Sequence, residues 1–288
     1  LAKSSVQVRR PVDGTLAGVH RSIHHGSSVE FAEHKEYSSG DDVRHIDWKV
    51  FARSDRYYVR RFEDETNLRA TFVVDCSGSM AFQGSESPGS KFDFAARFVA
   101  HLGYLLLSQQ DAVGLVAVAK DVVSLLPPRA RSSHVMDLTR TLEALEPAGK
   151  TGLTAGLESV AESKHGRGLV YVISDFFTEL APLFQLVRQL RAHRNHVAFV
   201  QVLDPAELRF PFRRTTLFRS MESSRRLLAE PRAIRGAYLK ALHAFLGELS
   251  DGCREAGVFY QLADTNRDPY EVLVPHLRPE GGMQGGRR

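Results

Sequence analysis

This chain of 288 residues lacks several things that would mark a secreted scaffold or a membrane protein. It has only two cysteines, Cys76 and Cys253. Two are too few for a disulfide framework and fit a reducing compartment. No apolar run approaches the ~18 residues of a membrane span, and the opening LAKSSVQVRR does not lead into a signal-peptide apolar stretch. Net charge is also scarce, at +4, and so small an excess gives only a weak long-range field toward a polyanion. The basic residues are 30 Arg and 8 Lys, a bias that reflects genome base composition more readily than a nucleic-acid surface. What is present, 43% apolar and 25% charged residues, excludes disorder throughout and supports a sizeable core. The length suits one large domain or two small ones. Cytoplasmic location is the default expectation. The first residue is Leu, so a native start ahead of it is expected to be missing.

Four short apolar runs read as strands buried on both faces: Ala70 to Val74, Ala112 to Ala119, Leu169 to Ser174 and Val197 to Leu203. Continuous Val/Ile/Leu runs are what a covered parallel sheet requires. Between them lie helical patterns. Ala95, Val99, Leu102 and Leu106 recur every three or four residues, giving one apolar face, and further helices are expected at Ser133 to Leu145, Leu153 to Lys164 and Pro182 to His193. The alternation predicts an α/β fold with an open, mostly parallel sheet flanked by helices. Asp121 to Leu126 follows the second strand so closely that it reads as an antiparallel edge hairpin. Later, Ile234, Tyr238, Leu242, Phe245 and Leu249 mark a long amphipathic helix, and Val258 to Leu262 a returning strand.

The chemistry concentrates in TFVVDCSGSM, where Asp75, Ser77 and Ser79 follow directly on a buried strand. In open α/β sheets ligands bind at the carboxyl ends of strands. A carboxylate followed by two alternate hydroxyls can curl around a small hard cation, because oxygen ligands suit Mg²⁺. Asp175 ends another buried strand. If the two strand ends are neighbours, their carboxylates at ~6 Å repel by about 3 kcal/mol at an effective dielectric near 20. A bound cation would cancel that cost, and a metal-free core would leave it unexplained.

Asp75-x-Ser77-x-Ser79, a Thr in the loop before a helix (GKTGLTAGL) and then Asp175, in that order, resemble the metal-ion-dependent adhesion site of von Willebrand factor type A domains. The resemblance implies Mg²⁺ or Mn²⁺ with direct ligands from Ser77, Ser79 and Thr151, and with Asp75 and Asp175 acting largely through waters. A carboxylate of a partner protein would complete the shell. The chain departs from that pattern in carrying Lys150 where the family usually has Gly. Thr154 is a rival for the Thr151 role. The upstream pattern Tyr37, Gly40, Asp41, Asp42, Arg44, Ile46, Asp47, Trp48, Ala52 and Arg53, with the late DPAELRFPF, resembles a bacterial domain-of-unknown-function family often encoded beside MoxR-type AAA+ ATPases. That resemblance spans about Gly18 to Leu277. It implies a non-enzymatic binding module that partners such an ATPase in assembling, maturing or activating client proteins; many relatives carry membrane helices ahead of this region. The expected organisation is an N-terminal extension at 1–69 packed on the core, a metal-binding core at 70–204, and an addition at 205–288 completing the same domain, with a flexible tail from about 280.

Other signals are weaker. Gly149-Lys150-Thr151 lacks the earlier Gly of a phosphate-binding loop, since position 144 is Ala, and Gly84, Gly89, Ser90 and Lys91 fail similarly. A phosphatase of the haloacid-dehalogenase type would need an acid at position 77, where Ser stands, and Ser77 does not lie in a G-x-S-x-G elbow. Cys76 is expected to be a small core residue. His20, His24 and His25 include an i, i+4 pair that could bind zinc on a helix, but with no Glu in the H-E-x-x-H place and no third ligand apparent they read as surface or capping residues. Asp41, Asp42, Arg44, Asp47 and Arg53 are expected to pair in a buried network around the single Trp. Eight arginines from Arg209 to Arg235 face Glu207, Glu222 and Glu230, and read chiefly as a solvated face. Two alternative functions stay open: a metal-dependent hydrolase using Asp75 and Asp175, and a nucleic-acid-binding adaptor using the Arg209–Arg235 cluster.

Overall fold

The computed structural model describes residues 30–38, 46–54, 56–63, 68–163 and 167–277. The chain divides into two compact units, one ending at Leu68 and the other beginning at Arg69.

In the first unit, β1 (Glu30–Glu36) pairs antiparallel with β2 (Tyr58–Glu63), and α1 (Trp48–Ser54) lies between them in sequence. Asp47 starts the helix. Its carboxylate accepts from the Val50 amide at 3.3 Å, meeting a donor the first turn leaves unpaired, while its own amide donates to the Tyr58 carbonyl at 2.8 Å. Phe51 stacks on Tyr57 with ring centroids 4.5 Å apart. The expected burial around Trp48 is not found: Trp48 is 61% exposed and Arg53 is exposed, whereas Asp47 is buried. Alternation along a single helical turn explains the split, because Asp47 caps the helix from beneath while its neighbour points outward. Asp41, Asp42 and Arg44 lie outside the described residues, as do His20, His24 and His25.

The second unit is built on a six-stranded sheet. Its strands are β3 (Arg69–Asp75), β4 (Ala112–Val118), β5 (Val122–Arg129), β6 (Leu169–Ser174), β7 (His196–Leu203) and β10 (Phe259–Asp264). The spatial order is β10-β7-β6-β3-β4-β5, parallel throughout except for β5, which returns antiparallel at the edge beside β4. The sequence patterns explain this. All six residues of β6 are buried, as are six of the seven in β4, whereas β5 is only half-buried and alternates, as an edge strand with one solvated face does.

Helices cover both faces. Side chains alternate across a strand, so Phe72 and Val73 serve different layers. On the Val73 side, α4 (Leu153–Glu162), α5 (Leu180–Ala192) and α7 (Pro231–Glu255) pack Leu157, Val187, Leu190 and Leu249 against Val116, Val172 and Phe199. On the Phe72 side lies α2 (Lys91–Ser108), packed against α3 (His134–Glu143) and α8 (Pro269–Leu277). Each fully buried Leu or Phe contributes about 1.5–3 kcal/mol. After β7 the chain forms short α6 (Pro205–Arg209), then an antiparallel hairpin of β8 (Thr216–Arg219) and β9 (Arg226–Ala229), before entering α7. The sequence reading missed this hairpin. Leucines and arginines on both strands are exposed, so neither strand carries the apolar alternation by which strands are recognised. Among the described residues no helix is long and apolar enough to cross a membrane.

Candidate metal centre

The strand order turns at β3, which has β6 on one side and β4 on the other, and crevices form at the carboxyl end of such a turn. Val74 lies opposite Ile173, so Asp75 and Asp175, one and two residues further on, end neighbouring strands. Both are fully buried.

Asp75 accepts three hydrogen bonds. Its Oδ1 accepts from the Ser77 amide at 2.8 Å. Its Oδ2 accepts from the Thr151 hydroxyl at 2.9 Å and the Ser174 hydroxyl at 2.6 Å. Burial pushes the Asp75 carboxyl above its ordinary range and nearby Asp175 adds to this, against the hydrogen bonds from Ser174 and Ser77. Ser77 and Ser79 bring their hydroxyl oxygens within 3.1 Å of each other, at the start of a 3-10 turn over Gly78–Ala81. The loops interlock: the Gly78 amide donates to the Gly149 carbonyl at 2.9 Å and the Ala148 amide to the Cys76 carbonyl at 2.8 Å. Gly149 has φ 78°, a conformation that favours glycine. Thr151 is thereby placed on Asp75, whereas Thr154 is the second residue of α4. Lys150 is exposed.

The donor set fits a small hard cation. Adjacent ligands of an octahedral ion with ~2.1 Å bonds lie about 3 Å apart, which is the spacing of the two serine oxygens. A Thr151 hydroxyl that donates to Asp75 keeps its lone pairs free. Among the described residues no group of three or more His, Cys, Asp or Glu side chains could hold a metal, so an ion here would rest on hydroxyls backed by two carboxylates.

Sequence reasoning missed the other side of the site. Lys91, the first residue of α2, is fully buried, and its Nζ donates to Asp175 Oδ2 and to Glu207 Oε1, each at 2.8 Å. Burial works to lower the Lys91 pKa, but Asp175 and then Glu207 outweigh it and hold the ammonium above its ordinary value. Burial in turn raises Glu207, with Lys91 opposing. The carboxylate repulsion, which a metal-free core was expected to leave unexplained, is thus offset in part by an internal ammonium. Glu207 also accepts from the Asp204 amide at 2.9 Å within the capping box that starts α6. Gln201 donates to the Asp175 carbonyl at 2.9 Å and accepts from the Tyr260 hydroxyl at 2.7 Å. Ser174 and Gln201 could have been suspected from the sequence as polar residues inside apolar strands. Lys91 could not, since it falls in a polar loop-to-helix junction. Cys76 is buried, and burial followed by the Asp75 charge pushes its thiol up to about 12, so it stays protonated near neutral pH.

The hairpin tip reaches the same loop. A Cβ added at Gly78 would lie 2.2 Å from the Met221 carbonyl oxygen, so the backbone between β8 and β9 rests on the Asp-Cys-Ser-Gly-Ser segment.

The fold is that of a von Willebrand factor A-like domain. Residues 33–244 match the family model described as "Protein of unknown function DUF58", and the chain belongs to that family. Its relatives include "Uncharacterized protein Rv1480" of Mycobacterium tuberculosis (strain ATCC 25618 / H37Rv), 29% identical over 287 residues, covering 96% of this chain and 88% of the relative. Among solved structures, an aerotolerance-related membrane protein from Bacteroides fragilis superposes with TM-score 0.50 and 17% identity over 73% of this chain and 98% of its own. BatB from Bacteroides thetaiotaomicron covers 72% and 95%, at TM-score 0.48 and 14% identity. The first of these likenesses bears on the fold alone.

Proposed function

We propose that this protein is a non-catalytic, divalent-cation-dependent protein-binding module. The observation that carries the reading is the convergence of Asp75, Ser77, Ser79, Thr151 and Asp175 at the ends of β3 and β6, with the serine oxygens at ligand spacing. Ser77, Ser79 and Thr151 would hold Mg²⁺ or Mn²⁺ directly, and Asp75 and Asp175 would orient them and offset the ion's charge. Bound there, the ion supplies a Lewis-acidic position for an Asp or Glu of a partner protein. The family resemblance points to a MoxR-type AAA+ ATPase or its client as that partner, with a role in assembly, maturation or activation, in the reducing setting that two buried thiols suit.

The hairpin supports an acidic protein partner. Arg213, Arg214, Arg219, Arg225, Arg226 and Arg232 have no ion pair among the described residues, and Leu217, Leu227 and Leu228 are exposed beside them. Exposed leucines between arginines suit an acidic protein surface better than a phosphate backbone.

The test is a pull-down from native cell extract with Mg²⁺ and with EDTA, comparing wild type with Ser77→Ala/Ser79→Ala. The double variant is expected to keep the wild-type circular dichroism spectrum and to lose the Mg²⁺-dependent partner. Equal capture with EDTA and Mg²⁺ overturns the metal mechanism. Capture of nucleic acid whose affinity falls steeply with salt would favour the adaptor reading instead.

A further inference from the structure

Lys91 is misplaced by every local criterion. It is fully buried, which disfavours a charge unless it is paired. It opens α2, and the amino end of a helix carries partial positive charge that repels a cation. The helix does not need it as a cap, because Ser90 and Asp93 already form a capping box, with the Ser90 hydroxyl accepting from the Asp93 amide and the Asp93 carboxylate accepting from the Ser90 amide. What holds the ammonium is Asp175 and Glu207, each at 2.8 Å. One of those two is a carboxylate of the metal centre.

We propose that Lys91 is the specificity-determining residue of this centre: as an internal counter-cation on Asp175, it makes retention of a divalent ion conditional on a partner's carboxylate. This rests on the metal reading above and deepens it. With Lys91 in place, Asp175 presents little net charge to an ion, so that of the centre's two carboxylates only Asp75 has no ion pair among the described residues. Glu207, on the far side of the ammonium, returns part of the charge. The three hydroxyls are neutral. A divalent ion is therefore held weakly until a further carboxylate joins it, and by linkage the partner and the ion tighten each other by the same factor. The lysine also lets the site fold without the ion, since neither buried carboxylate has to wait for a metal to offset its neighbour.

The test is Mn²⁺ titration of the full chain, following free Mn²⁺ by electron paramagnetic resonance, with and without acetate as the probe carboxylate. Wild type is expected to bind weakly and to gain affinity with acetate. Lys91→Met is expected to bind Mn²⁺ at least tenfold more tightly, with a smaller acetate effect. Glu207→Gln, whose amide oxygen can still accept from Asp204, leaves the lysine charge less offset and is expected to bind several-fold more weakly. Opposite signs for the two variants are the signature, because mere loosening of the site would weaken both. Unchanged affinity in both, or a shift in the same direction, overturns the role of Lys91 while leaving the metal reading intact. If Lys91→Met does not fold, Glu207→Gln and the acetate arm decide alone: stronger binding by Glu207→Gln or no acetate effect in wild type overturns the proposal. Mn²⁺ binding that survives Ser77→Ala/Ser79→Ala, or no Mn²⁺ binding by any of these proteins, overturns the metal reading itself and the proposal with it.

Discussion

Phe176 adopts φ 61° while fully buried. For a residue with a Cβ the left-handed region costs about 1–2 kcal/mol, and burial of the ring, stacked on Phe199 at 4.6 Å, is of a size to offset it. The turn it makes brings its own amide to the Ser174 hydroxyl at 2.8 Å and the Phe177 amide to Asp175 Oδ1 at 3.1 Å, so an aromatic core contact sets the aim of two site residues. A strained residue so placed is a feature sequence patterns do not carry. His196, at the start of β7, gives a pH prediction well away from the site. Burial, then the Arg191 charge, lowers its pKa below 6.5. In the window just below pH 6.5 the unfolded chain therefore binds more protons than the folded one, and stability falls as pH falls. Urea denaturation of wild type and His196→Gln at pH 5 and 7 should show a smaller loss in the variant; equal losses would remove His196 as a contributor.

Among the elements, the β8–β9 hairpin links the site to the rest of the C-terminal segment. Its base is fixed by Phe210, which lies 4.6 Å from Tyr238 and 5.6 Å from Phe218 between ring centroids, and its tip lies on Gly78. Gly78→Ala would press a methyl group into backbone that cannot move aside like a side-chain end. Overpacking of this kind costs about 1–3 kcal/mol, measurable as a lowered urea midpoint with unchanged slope, and the proposed cation-dependent binding should be lost at the same time. Reversing charge with Arg219→Glu/Arg226→Glu should leave stability within about 0.5 kcal/mol, as exposed sites do, and weaken capture of an acidic partner by at least tenfold. Unchanged capture would show that the hairpin does not meet that partner. The Asp-Cys-Ser-Gly-Ser segment was legible as a cluster of oxygen donors at a strand end, but the reason for its glycine was not. That reason is a carbonyl from residue 221, 143 positions away.

At the scale of the molecule, the sheet from β3 to β10 closes within residues 69–277 and takes its helices from the same span. A fragment of residues 68–277 is accordingly expected to fold cooperatively, giving a single thermal transition by circular dichroism; a broad transition would mean that the first unit supplies core the sheet needs. The sequence by itself determined the α/β class, the central strands, the edge hairpin after β4 and the ordered set Asp75, Ser77, Ser79, Thr151 and Asp175. These follow from local rules, in which apolar runs report two-sided burial and oxygen donors cluster at strand ends. The tertiary structure alone decided that β3 and β6 are neighbours, that Lys91 pairs with Asp175 and Glu207, and that a hairpin tip rests on the Asp75–Ser79 loop. Each of these is a contact between residues far apart in the chain, where a charge or a glycine acquires its role from what the fold sets beside it.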